Sequence, residues 1–128
     1  MKHHEDGEQA AVFEWASYYP DLRYMFAIAN GTHLAGGDKQ RAMQMARLKK
    51  QGLKNGVLDI FLPIAVRRAS GHYNGLFIEM KRRKVDGPSS VSRAQSDFII
   101  AMSVAGYKAV VCYGAEEAIA EIRKYCNL

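Results

Sequence analysis

From Leu76 to Tyr113 the chain sets two apolar runs on either side of a helix with both ends marked. "LFIEMKRR" alternates as a strand does, "SRAQSDFIIAMSVAG" has helical spacing, and "YKAVVCYG" is almost continuously apolar. Ser92 and Gln95 stand at the spacing of a capping box, and Gly106 suits the position just past a helix end. A strand, a helix and a second strand joined in this way form a right-handed crossover between parallel strands. Helices cover the faces of such a sheet, so "YKAVVCYG" is expected as a buried strand in an α/β layer structure.

The remaining segments fit around that unit. "EDGEQAAVFEWASYY" reads as a first helix, capped by Asp6 with Gln9 and ended by Pro20. Its apolar stripe is Val12, Trp15, Ala16 and Tyr19, and Glu8, four residues before Val12, extends that stripe towards the helix start. "LRYMFAIAN" reads as a strand, "GTHLAGG" as a loop, and "DKQRAMQMARLKKQG" as a helix capped by its Asp and ended at Gly52. "VLDIFLPIAV" reads as a strand with Pro63 at an edge or bulge, and "RRASGHYNG" as a polar connection, so residues 57–83 form a long hairpin. "KVDGPSS" is a loop, and "AEEAIAEIRKYCNL" is a closing helix with Ala118, Ile119, Ile122 and Tyr125 on its inner face. The order α-β-α-β-β-α-β-α predicts a mixed β-sheet flanked by helices. The 128 residues suit a single domain over 1–128.

Alternation along the two middle strands brings out the chemistry. Leu76, Ile78 and Met80 share one face, and Phe77, Glu79 and Lys81 the other. Leu58, Ile60 and Leu62 share a face, leaving Asp59 with Val57 and Phe61. If the apolar faces align, Asp59 and Glu79 emerge on one side of strands ~4.8 Å apart. Two carboxylates so close repel unless a cation lies between them, and oxygen ligands of this kind suit Mg2+ or Mn2+. Lys81, one pleat beyond Glu79, could orient water or neutralise charge on a phosphate. Glu8 could add a third carboxylate, and Gln95 faces inward near its helix start. Such a set beside a basic surface suits phosphodiester hydrolysis.

Each of these residues also has a plainer reading. Asp59 and Glu79 could lie on a solvated sheet face, although Phe61 and Phe77 beside them speak against solvent. Lys81, Arg82, Arg83 and Lys84 could be a charged strand end, Glu8 a carboxylate favoured by the helix dipole, and Gln95 only a capping residue. His33 and His72 sit in loops without ligand spacing, and His3 and His4 read as a loose terminus.

Net charge is +5, compatible with a polyanionic partner. Cys112 and Cys126 lack the spacing of a metal site and read as packed thiols. "MKHHEDGEQ" is polar from the start, and no apolar run approaches the ~20 residues of a membrane helix. A soluble, intracellular protein with no membrane association is expected.

Together these residues resemble a known family. Asp59 followed by Glu79-Met80-Lys81 is similar to the PD-(D/E)XK core of the restriction-endonuclease-like nucleases. In order along the chain, "EQAAVFEWA", "IANGTH", "LKKQGLKNGVLDIFLP", "GLFIEMK", "SVSRAQ" and "AGYKAVVCYGAEEAI" resemble the virus-type replication-repair nuclease (VRR-NUC) domain family, in the form of a stand-alone, phage-type member. One departure is visible: where the family has G-x-P-D, this chain has Gly56-Val57-Leu58-Asp59.

The resemblance implies a metal-dependent DNA endonuclease acting on structured or branched DNA such as Holliday junctions, in replication, recombination or repair. Mg2+ or Mn2+ would be its cofactor, a homodimer its assembly, and the cytoplasm of a bacterium or phage-infected host its location. It implies Asp59 and Glu79 as metal ligands with the Met80 carbonyl assisting, and Lys81 as the catalytic lysine. Glu8 would be the helix carboxylate, a place that Glu5 could also take, and Gln95 the family's glutamine. Asn30 and Gly31 match the family's Asn-Gly segment. Lys49, Lys50 and Lys54, with Arg82, Arg83 and Lys84, are the candidate phosphate contacts of the basic segments. The alternative is a non-catalytic DNA-binding module that keeps the nuclease fold. A structural or assembly protein with an incidental acidic hairpin is the third reading.

Overall fold

The computed structural model describes residues 2–29 and 34–128; the Asn30-Gly31 segment and His33 lie outside them. A four-stranded mixed sheet runs in the order β1 (Phe26–Ala27), β2 (Ile60–Leu62), β5 (Leu76–Lys81), β6 (Lys108–Tyr113). β2 pairs antiparallel with both of its neighbours, β1 and β5, and β6 lies parallel to β5. Helices α1 (Lys2–Ala16), α2 (Asp38–Lys50), α3 (Arg93–Val104) and α4 (Ala115–Cys126) complete the main elements. The α/β class and the strand–helix–strand crossover are as the sequence predicts.

The apolar faces of β2 and β5 meet in register, Ile60 opposite Ile78 and Leu62 opposite Leu76. They join Val12 of α1 and Ala118, Ile122 and Tyr125 of α4 in one buried cluster. On the opposite face Phe61 and Phe77 pack together, and Phe98 of α3 meets Phe77 edge-on. The sheet thus lies between the α1–α4 pair and α3.

The capping box of α3 forms as predicted, with Ser92 Oγ accepting from the Gln95 amide and Gln95 Oε1 accepting from the Ser92 amide. Its far end closes at Gly106, whose φ of +96° allows Tyr107 to return its N–H to the Met102 carbonyl. That turn aims the chain straight back along β5.

Several expectations need correction. α1 begins at Lys2, so Asp6 and Gln9 lie within the helix and form no capping box, and His4 is helical rather than loose. The helix ends at Ala16, and Pro20 opens a short 3-10 turn, where its fixed φ and missing N–H are tolerated. β1 keeps only two residues of the expected strand. α2 is capped by Gly37, not Asp38, with the Gln40 side chain accepting the Gly37 N–H.

β2 stops at Leu62 because Pro63 has no N–H for the ladder. The stretch read as a polar connection instead forms a separate two-stranded hairpin, β3 (Val66–Arg68) with β4 (Gly71–Tyr73). Arg68 of that hairpin donates to the Lys124 and Tyr125 carbonyls at the end of α4. β6 is an edge strand, half-buried except at Cys112, rather than a fully buried one. Among the described residues no helix is long and apolar enough to cross a membrane.

Candidate active site

Asp59 immediately precedes β2, and the β2–β5 register carried one step further sets it opposite Glu79. Both side chains leave the sheet away from the α1–α4 core, by strand alternation. Asp59 Oδ2 accepts the Met80 backbone N–H at 2.8 Å, so the carboxylate closes the ladder where β2 has not yet begun. Leu58, where the resembled family has Pro, is fully buried. Gly56 turns at φ +86° directly against the Ala94 backbone, where a Cβ would collide with the carbonyl oxygen. The departure from G-x-P-D therefore leaves Asp59 at the mouth of β2.

Glu79 is only 3% exposed and Lys81 8%, so neither lies on a solvated face. Both Lys81 Nζ, at 3.3 Å, and Gln95 Nε2, at 2.8 Å, approach the same oxygen, Glu79 Oε2. Gln95 thus serves the helix cap through its oxygen and the carboxylate through its nitrogen. Among the described residues, the buried Glu79 Oε1 has no hydrogen-bond partner.

Burial, and after it the nearby Asp59 carboxylate, raise the Glu79 pKa to about 7 against the pull of Lys81. Asp59 is also raised by burial, while the Met80 N–H draws it down. An unpartnered buried carboxylate oxygen beside a second, half-buried acid fits a divalent cation, which would offset both the burial and the repulsion. All donors are oxygen, the set that suits Mg2+ or Mn2+. Among the described residues no group of three or more His, Cys, Asp or Glu gathers here, so this chain offers two carboxylates, with the Met80 carbonyl on the same strand edge.

The other candidates are placed as follows. Glu8 is drawn to the start of α4: its Oε1 accepts the Ala115 N–H at 2.7 Å and its Oε2 lies 3.7 Å from Arg83 Nε. The expected third carboxylate from α1 therefore does not join the Asp59–Glu79 pair, and neither does Glu5. Asp6, read in the sequence as a cap, is the α1 acid whose charge reaches Asp59. Only the true start of the helix would have pointed to it.

Arg82 donates to the Pro88 carbonyl, Arg83 chelates Asp86, and Lys84 lies over the Tyr113 ring. Lys49, Lys50 and Lys54 are exposed at and just beyond the end of α2, a helix with no buried residue. His72 bonds the Asn74 side chain and stands apart from the acids.

The model of the VRR-NUC domain family matches residues 1–116 of this chain. No curated protein matches it. A solved structure described as a VRR_NUC domain protein superposes with a TM-score of 0.76 and 29% sequence identity, over 97% of this chain and 88% of that one.

Proposed function

The chain belongs to the VRR-NUC domain family, a family of nuclease domains, and on that premise we propose that it is a Mg2+- or Mn2+-dependent DNA endonuclease. The observation that carries the reading is the bare Glu79 Oε1, buried opposite Asp59 and beside Lys81. A divalent cation held by Asp59 and Glu79 would supply positive charge to the scissile phosphate and acidify a coordinated water. Lys81 reaches past Glu79 to donate to a non-bridging phosphate oxygen, where charge grows as the phosphorus is attacked. Gln95 holds Glu79 Oε2, leaving Oε1 for the cation. The exposed Lys49, Lys50 and Lys54 hold backbone phosphates, contacts that add affinity without reading sequence. Lys84 is a weaker candidate, and Arg82 and Arg83 would have to leave partners within the chain.

A preference for branched DNA, a homodimer and residence in a bacterial or phage-infected cytoplasm extend the same proposal. The test is incubation with linear, nicked, flapped and four-way DNA, with Mg2+ or Mn2+ and with EDTA. Cation-dependent cutting, lost in Asp59→Ala and Lys81→Ala while DNA binding persists, is the expected outcome. Full activity in either purified variant would sink the site. Binding with and without EDTA but cutting in neither would identify a non-catalytic module.

A further inference from the structure

The face that carries Asp59 and Glu79 also carries a row of aromatic rings leading away from them. Phe77 lies two residues before Glu79 and Phe61 two residues after Asp59, with ring centroids 4.4 Å apart. Phe26, opposite Phe61 on β1, meets it edge-on at 5.8 Å. The inner rings are covered, because Phe98 and Tyr107 pack against Phe77. Phe26 is not: it ends the row on the edge strand and is 49% exposed. Two residues along a strand and one strand across set it roughly 8 Å from Asp59.

We infer that Phe26 is a stacking platform for an unpaired nucleobase of the DNA being cut. The inference rests on the nuclease reading and names the feature by which that site would select its substrate. In a duplex each base is stacked on both faces and offers none to a ring, whereas a flap, gap or branch frees a base to leave the stack. An apolar ring beside a phosphodiester site then rewards DNA with an unpaired base and gives nothing to an intact duplex.

The test uses the whole chain in EDTA, so that nothing is cut, and flap DNA carrying 2-aminopurine in its unpaired strand beside the branch. Wild-type protein is expected to quench the probe. Phe26→Leu should abolish the quenching and weaken flap binding on the order of tenfold with duplex binding unchanged, and Phe26→Trp should restore both. Equal weakening of flap and duplex, no quenching by the wild type, or loss of a dimer without change in the flap-to-duplex ratio would overturn it; the last outcome would make Phe26 a contact between two copies. Absence of cutting with Mn2+ would remove the nuclease reading yet leave the quenching result to stand.

Discussion

Gln95 is where two demands meet on one side chain. Its oxygen closes the α3 cap and its nitrogen holds Glu79, so the amide can point only one way. Glutamate would satisfy the cap equally well but would face Glu79 with a third carboxylate. Gln95→Glu is therefore expected to fold with α3 intact, yet to lose about 1–3 kcal/mol near pH 8 without cation and to recover most of it near pH 5. Urea unfolding at the two pH values, with circular dichroism for the helix, measures this.

Glu79 itself sets a related pH dependence. Its folded pKa of about 7 exceeds the ordinary 4.5, so between those values the folded chain keeps a proton that the unfolded chain has released. The cation-free stability is then full below the lower value and falls as pH rises through the upper one. Melting in EDTA should fall more from about pH 5 to about pH 8 in the wild type than in Glu79→Gln. An equal fall in both would place the proton elsewhere. The sequence made Asp59, Glu79, Lys81 and Gln95 legible because alternation and capping are local rules. It could not show that Lys81 and Gln95 share one oxygen of Glu79, since that depends on how α3 lies across β5.

Among the elements, those with local end signals were read well and those defined by partners were not. α3 carries Ser92 and Gly106 at its ends, and both acted as their chemistry requires. α2 was likewise legible, but its surroundings were not: none of its residues is buried. A helix so exposed can lose basic side chains at little cost in stability. Lys49→Glu combined with Lys50→Glu should change unfolding by less than about 0.5 kcal/mol, while each lost phosphate contact lowers the salt slope of DNA binding by about 0.9. An unchanged slope would remove α2 from the interface. β6 misled in the other direction, because its apolar run suits a central strand. Its place at the edge follows from the sheet order, and α3 and α4 leave it half-buried.

Across the whole molecule, Glu8 ties the first helix to the last. Its bond to the Ala115 N–H spans 107 positions and puts a carboxylate at the positive end of α4. Glu8→Ala should cost about 1 kcal/mol in chemical denaturation, the usual range for a lost helix cap, and leave cation affinity by calorimetry unchanged. Loss of cation affinity at full stability would return Glu8 to the metal site. The β3–β4 hairpin binds the other end of α4 through Arg68, and so it clamps the helix that backs the sheet. By itself the sequence determined the α/β class, the parallel crossover and the acidic pair with its lysine, because these follow from periodicity, caps and the two-residue alternation of strands. Only the tertiary structure decided that Glu8 serves α4 and that Phe26 ends its aromatic row in the open. Each depends on contacts between residues far apart in the chain, and no local pattern encodes which of two neighbouring elements a side chain will reach.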